Sequence, residues 1–502
     1  MKGGLLVAGT TSDAGKSLVT AGICRWLARG GARVAPFKAQ NMSNNSMVCP
    51  DGSEIGRAQW LQALAAGAVP EAAMNPVLLK PGSDSRSHVV LMGRPHGELS
   101  ATDWTTGRTA LAEAAFDAFA DLRSRYDVVI AEGAGSPTEI NLRAGDFVNM
   151  GLARKAGLPV VVVGDIDRGG VLAAMFGTLA LLSAADQAQV VGWVVNKFRG
   201  RVALLEPGLE SLQRATGRPV LGVLPWLEGV WMDAEDALAI AGWSSSPPVT
   251  GPTLRIAVIR LPRVSNATDV DALASEAGVS VIVTADPAVV ASADLVVLPG
   301  SRATVDDLDW LRRVGLADAL VARARAARPV LGICGGYQML AKSIDDRIES
   351  GRGQVAGLGL LPTHVVFDEG KRLGTTSGQW HGHPVSAFQI HHGIAVLDAH
   401  DPDAEQVEPF LDGYQRDSVW GSTWHGVFEL DGFRRAWLTE VAAQARVDWH
   451  PSEQSVGFSD RRLAMLDRLA DAVEEHLDTD RLLRIIEQGP EPGLPFVPPG
   501  AP

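Results

Sequence analysis

Two runs in the sequence combine reactive side chains with the glycines such chemistry needs: AGKS at 14–17 and GICGGYQ at 332–338. In the first, a glycine turn between an apolar run and a helical pattern aims backbone N–H groups and a helix N-terminus at an anion. Lys16 would reach the β- and γ-phosphates of a nucleotide, and the Ser17 hydroxyl would ligate Mg²⁺. Counted back from Gly15, the first glycine of the G-x-x-x-x-G-K-[ST] spacing falls on Thr10, and Gly9 lies one residue early. Thr11, Asp13, Gly15, Lys16 and Ser17 are the candidate ATP contacts. A metal-bound triphosphate calls for a carboxylate as well. Glu132 ends the apolar run DVVIAE, where open α/β sheets bind their ligands, and is the candidate second Mg²⁺ ligand. Asp51 and Glu54 are further candidates. Asn196, at the end of VVGWVVN, could read the adenine edge.

In the second run, apolar residues lead straight into Cys334, two glycines follow, and a helical stretch comes next. That is the elbow that exposes a nucleophile, with a thiol in place of a hydroxyl. A helix N-terminus lowers the pKa of such a thiol. The N–H of Gly335 becomes an oxyanion donor, and a second donor comes from the LPGS loop at 298–301, which holds Gly300. Glycines on both sides of Cys334 have no packing purpose. Cys24 and Cys49, by contrast, read as buried core thiols. A nucleophilic thiol needs a base. Of the eleven histidines, His425 in STWHGVF is the first candidate and His391 in FQIHHG the second.

Elements must carry these groups. Leu5–Ala8, Arg33–Phe37, Val128–Ala131, Val160–Val163, Val191–Val195 and Val220–Val223 are valine-rich without polar alternation, as strands of a parallel sheet covered on both faces are. Residues 16–29 read as a helix closed by Gly30-Gly31. Strand, helix, strand in this order implies a doubly wound α/β domain over 1–243. SSSPPVTGP at 244–252 is a linker. A second α/β series follows at Arg255–Ile259, Val279–Val283, Leu295–Leu298 and Val330–Ile333, giving a second mostly parallel domain over 253–440. A helical C-terminal extension over 441–502 contains charged amphipathic stretches at 460–488 and a Pro/Gly-rich end expected to fray.

The chain has 502 residues, 46% hydrophobic and 21% charged, enough for two full cores. Asp and Glu number 58 against 45 Lys and Arg, a net charge of −13. That argues against nucleic acid as a partner. Three cysteines rule out a disulfide scaffold and fit a reducing compartment. The start, MKGGLLVAG, lacks the apolar run of a signal peptide, and the apolar stretch Val171–Ala185 is short for a bilayer. A cytoplasmic location and no membrane partner are expected. Lysine occurs only eight times. In an arginine-rich chain, a lysine that persists points to a position arginine cannot fill, which singles out Lys16, Lys38, Lys80 and Lys197.

The sequence GICGGYQ, the preceding LPGS and the distant WHG together resemble the class I glutamine amidotransferases. That resemblance implies Cys334 as nucleophile, His425 as base and Gln338 as a contact for glutamine. In most of that family a Glu two residues after the His orients it. Here Val427 stands there, and Glu429 is the candidate to take its place. This departure is shared with a subgroup whose N-terminal half looks like dethiobiotin synthetase. PFKAQNMSNNS (36–46), DGSEIGRAQ (51–59), MNPVLLKP (74–81), EGAGSP (132–137), GDIDRGG (164–170), NKFRG (196–200) and PRVSNATD (262–269) resemble the cobyric acid synthases over about residues 1–440. Gln389 departs from that likeness, which implies an acidic residue there. The resemblance implies two α/β domains, a P-loop NTPase-like one followed by a class I amidotransferase. It also implies ATP- and glutamine-dependent amidation of a corrinoid at its b, d, e and g carboxylates. A sister amidase of the a and c carboxylates is one alternative, against which KAQNM argues. A partition-type nucleotide switch is another, and it leaves Cys334 without a role.

Overall fold

The computed structural model describes residues 2–81, 86–100, 108–230, 252–452 and 454–501. The expected linker at 244–252 lies outside the described residues except for Pro252. The chain divides into two units that are not contiguous in sequence. The first comprises Met1–Met42, Ser53–Asp233 and Arg462–Pro502, and the second Ser43–Gly52 and Ala234–Arg461.

The first unit is built on a parallel sheet of six strands. In spatial order they are Val220–Pro225, Val190–Phe198, Val160–Asp165, Gly3–Gly9, Val128–Glu132 and Val34–Phe37. Every residue of Gly3–Gly9 and Val160–Asp165 is buried, which is why these strands are apolar without alternation. One face packs on the helix Lys16–Arg29 and on two C-terminal helices, Phe458–His476 and Thr479–Gln488. Leu466, Leu469, Val473 and Ile485 join Val19, Ile23, Leu5 and Val7 in one core. At about 1.5–3 kcal/mol per fully buried side chain, this burial outweighs the flanking pairs Arg25–Asp467 and Arg29–Asp471, which are half-exposed and worth little. The expected separate C-terminal extension is thus split. Residues to Arg461 group with the second unit, and those from Arg462 complete the first. Nor does the Pro/Gly-rich end fray. The buried Gln187 amide donates to the Val497 carbonyl and accepts from its N–H, both at 2.8 Å, and Gly500 N–H donates to the Ala180 carbonyl at 2.8 Å.

The second unit holds a sheet of seven strands in the order Val279–Thr284, Leu254–Ile259, Leu295–Leu298, Val330–Ile333, Val419–Ser422, Gly413–Arg416, Val407–Phe410. The first five are parallel, and the last two return antiparallel. A long antiparallel hairpin, Thr363–Trp380 with His383–Leu397, was not among the expected elements. Its two-residue tip places His381 at φ 46° and Gly382 at φ 82°. Such a left-handed pair matches the twist of the flanking strands.

Candidate active site

Each unit presents one polar centre at the C-terminal ends of its parallel strands. In the first unit the loop after Gly3–Gly9 turns into the helix Lys16–Arg29 through Gly15, at φ 93°. A Cβ on Gly15 would lie 2.1 Å from Asn196 Nδ2, so both the backbone conformation and the close approach demand glycine. Asn196 Nδ2 donates to the Ala14 carbonyl at 3.0 Å and braces the loop from the next strand but one. Buried Lys16 donates through Nζ to the carbonyls of Thr11, Ser12 and Gly135 at 2.9, 3.0 and 3.1 Å. Ser17 Oγ donates to Glu132 Oε1 at 2.7 Å. Glu132 is fully buried and also accepts from Lys38 Nζ at 3.0 Å and Gln62 Nε2 at 2.6 Å. Burial opposes its charge, but Lys38, Gln62 and Ser17 outweigh burial and hold the carboxyl below its usual range.

The other candidates fall nearby or elsewhere. The Asp13 side chain is exposed and pairs with Arg168 at 2.7 Å, while its carbonyl accepts from Lys197 Nζ at 2.7 Å. Lys197 also pairs with Asp165 at 2.8 Å. Glu54 is buried in an ion pair with Lys80. Asp51 is exposed, in the segment that groups with the second unit. Among the described residues no three His, Cys, Asp or Glu side chains gather as a metal site would. Lys38, Gln62, Asp165 and Lys197 belong to the centre but were not among the candidates. The scarcity of lysine was the available signal for the two lysines: all four singled-out lysines hold a buried carboxylate or loop carbonyls. Beside the loop, Leu18, Trp226, Leu469 and Val473 help line an apolar cavity of about 150 Å³ that Asn196 borders.

In the second unit Cys334 ends the strand Val330–Ile333 at φ 49° and ψ −112°. This backbone is strained for a residue with a side chain and is typical of a nucleophile elbow. A Cβ on Gly336 would lie 1.9 Å from the Leu298 carbonyl oxygen, so the turn passes the LPGS segment only because no side chain is there. His425 follows the adjacent strand Val419–Ser422. It exchanges backbone hydrogen bonds with Phe388 on the long hairpin, at 3.1 and 2.9 Å, and stacks on that ring at 5.4 Å. Its Nδ1 lies 2.6 Å from Asp269 Oδ2, and the Cys334 thiol acts on it electrostatically. Gly426 N–H fixes the second carboxylate oxygen at 2.8 Å. Burial lowers the basicity of His425, but Asp269 and Cys334 overcome it and push the pKa up to about 10. A Cβ on Gly300 would come within 3.2 Å of His425 Cε1, which places the LPGS segment beside the imidazole.

The side chain on His425 Nδ1 is therefore Asp269, not the expected Glu429. It lies 156 residues upstream, within PRVSNATD, and no local spacing pairs it with a histidine. Buried Gln338 donates through Nε2 to the Gly393 carbonyl at 3.2 Å and accepts from Thr304 Oγ1 at 3.3 Å. His391 Nδ1 contacts the same Gly393 carbonyl at 2.8 Å. Burial pushes His391 down to about 4, so it is uncharged at neutral pH. Cys24 and Cys49 are buried, and burial pushes the Cys24 thiol far above its ordinary range.

Residues 5–239 match the family described as CobQ/CobB/MinD/ParA nucleotide binding domain, and residues 255–433 match the CobB/CobQ-like glutamine amidotransferase domain. The cobyric acid synthase of Mycolicibacterium gilvum is 58% identical over 99% of this chain and 100% of its own length. That of Streptomyces avermitilis is 58% identical over 100% of both chains, and that of Cutibacterium acnes 56% identical over 96% of this chain and 99% of its own. Among solved structures, a glutamine amidotransferase aligns with 38% of this chain and 98% of its own at 17% identity and TM-score 0.31.

Proposed function

The chain belongs to the cobyric acid synthase family, and from that premise we propose how its residues carry out the ATP- and glutamine-dependent amidation of a corrinoid in cobalamin biosynthesis. The substrate is adenosylcobyrinic acid a,c-diamide, amidated at its b, d, e and g carboxylates. The observation that carries the reading is the Cys334–His425–Asp269 arrangement in a chain that also holds a phosphate loop. A nucleotide switch has no use for the former.

At the second centre the Cys334 thiolate attacks the carbonyl carbon of the glutamine side-chain amide. The Gly335 N–H and the Gly300 segment face the developing oxyanion. His425, held as imidazolium, gives its proton to the departing nitrogen, and ammonia leaves. Neutral His425 then takes a proton from water, whose oxygen attacks the thioester carbon. Glutamate departs and the thiolate–imidazolium pair returns. Gln338, anchored to Gly393, shapes the glutamine pocket.

At the first centre a corrinoid carboxylate oxygen attacks the γ-phosphorus of ATP and ADP leaves. Ammonia then attacks the acyl carbon, and phosphate departs. ATP is needed because a carboxylate offers ammonia no leaving group. Lys16 and the helix N-terminus neutralise phosphate charge, and Asn196 borders the apolar cavity that suits the base. Ser17 Oγ and Glu132 Oε1 lie side by side as hard oxygen donors, and they fit Mg²⁺. Bound there, the ion would offset charge on the transferring phosphoryl group. Among the described residues no helix is long and apolar enough to cross a membrane. That and three free thiols support a reaction in the cytoplasm.

Mass spectrometry of the corrinoid product tests the reading. Each COOH-to-CONH₂ exchange lowers the mass by a fixed step, so amidation at b, d, e and g is counted directly. Steps at a and c alone would favour the sister amidase, and an unaltered corrinoid would sink both. The role of Asp269 has its own test. Asp269→Asn removes the charge that opposes burial at His425, so the His425 pKa falls from about 10. The imidazolium is then lost at lower pH, and the alkaline limb of the glutamine hydrolysis profile moves down. A ~10²- to 10⁴-fold loss of rate at neutral pH is expected, the range for a misdirected catalytic imidazole. His391→Ala, at a histidine already neutral, should cost far less. The reverse ranking would move the base to His391.

A further inference from the structure

Asp269 sits on a 3₁₀ turn, Ala267–Val270, whose first N–H groups have no partner within the turn. The residue that ought to cap it, Asn266, is left-handed at φ 48° and ψ 46° and makes no side-chain cap bond. Its Oδ1 accepts instead from Ser46 N–H at 2.9 Å. The Ala267 N–H it leaves uncovered is taken by Asn45 Oδ1 at 3.1 Å. Two asparagines, one from each half of the sequence, thus exchange side-chain-to-backbone bonds. Asn45, Ser46, Asn266 and Asp269 are all buried. A lost bond here would leave an unpaired group that water cannot serve. Asp269 N–H in turn donates to the Asn266 carbonyl at 3.1 Å, so the clamp sets the position of the carboxylate that holds His425.

We propose that Asn45 is a positioning residue of the glutamine-hydrolysing centre. It acts through the Asn266 turn, and the segment Ser43–Gly52 is a strap that this centre borrows from the N-terminal half. The strap lies outside residues 255–433, the span matched to the amidotransferase family. The inference rests on Cys334 and His425 acting as nucleophile and base. A cap withheld from an Asp-bearing turn loosens the Asp269–His425 bond without touching glutamine, so the effect falls on kcat and on the pH profile rather than on KM.

The test uses the full chain. Asn45→Ala should lower kcat for glutamine hydrolysis by roughly fivefold to thirtyfold, the scale of a lost cap. The alkaline limb should move to lower pH and KM for glutamine should hold. Asn45→Asp, which keeps the acceptor, should restore rate and profile. Amidation driven by ammonium salt should stay at the wild-type rate in both. Asn266→Gly covers the case in which Asn45→Ala fails to fold. It keeps the left-handed turn and removes only the acceptor, and should show the same signature. A folded Asn45→Ala or Asn266→Gly protein with wild-type kcat and pH profile overturns the proposal. So does an equal fall in the glutamine- and ammonium-driven rates. Glutamine hydrolysis that survives Cys334→Ser would instead sink the amidotransferase reading on which the strap depends.

Discussion

Cys334→Ser is expected to abolish glutamine-dependent amidation and to leave amidation from ammonium salts at high pH intact. Serine keeps the elbow and its glycines but loses the nucleophile. A hydroxyl is far less acidic than a thiol and needs a base strong enough to strip it. His425 sits as an imidazolium with a pKa of about 10 because Asp269 and Cys334 outweigh burial, so at neutral pH it has no lone pair to offer. Removal of a nucleophile from such a constellation costs on the order of 10⁴- to 10⁶-fold. Ammonia supplied directly bypasses this centre, since Lys16, Ser17 and Glu132 belong to the other unit. The measurement is corrinoid amide formed from glutamine and from ammonium chloride, for wild type and variant. A variant that still uses glutamine would remove Cys334 from the chemistry. A folded variant that uses neither nitrogen source would show that the two centres cannot be separated.

Lys16→Ala is expected to fail with either nitrogen source, because both proposed routes pass through the acyl phosphate. The Lys16 ammonium is held by three loop carbonyls at 2.9–3.1 Å, a cage that fits one compact cation. Loss of a charge aimed at a transferring phosphoryl group costs on the order of 10³-fold or more. Lys16→Arg should fare little better, since a planar fork cannot fill that cage. ATP-dependent amidation measured on ammonium chloride decides the matter, and a normal rate there would refute the assignment. Glutamine hydrolysis without ATP should survive in the variant, which makes the pair Lys16→Ala and Cys334→Ser mirror images.

What could be read in the sequence was local. AGKS and GICGG declare themselves because strand, turn and helix follow within a few residues, and glycine has no other reason to crowd there. The valine-rich strands declare themselves because both their faces are covered. Lys38, Lys80 and Lys197 stood out only against an arginine background. Asp269 could not be paired with His425 from spacing, because a carboxylate that orients an imidazole can arrive from any strand end. The hairpin Thr363–Trp380 with His383–Leu397 has a legible tip in His381-Gly382, but its first strand is largely open to solvent, so no clean alternation marks it. The tail was misjudged for a related reason. Its order comes from Val497 buried in the first unit's core and from bonds to Gln187 and Ala180, some three hundred residues away. Contiguous boundaries failed where short segments crossed from one unit to the other, as 43–52 and 462–502 do.

That crossing has a consequence for how the chain is made. The strand Gly3–Gly9 leaves the ribosome more than four hundred residues ahead of Leu466, Leu469, Val473 and Ile485, which share a core with its Leu5 and Val7. Domains usually complete in the order of their synthesis, N-terminal first. Here the whole of Ala234–Arg461 is translated while one face of the earlier sheet still waits for the rest of its cover. The second unit, whose strap is already waiting in the nascent chain, is therefore the first that can close. Until translation has passed Ile486, Leu5, Val7, Val161 and Val163 have only Lys16–Arg29 and its neighbours to cover them, and a transcript cut short before Arg462 would leave that face half-covered for good.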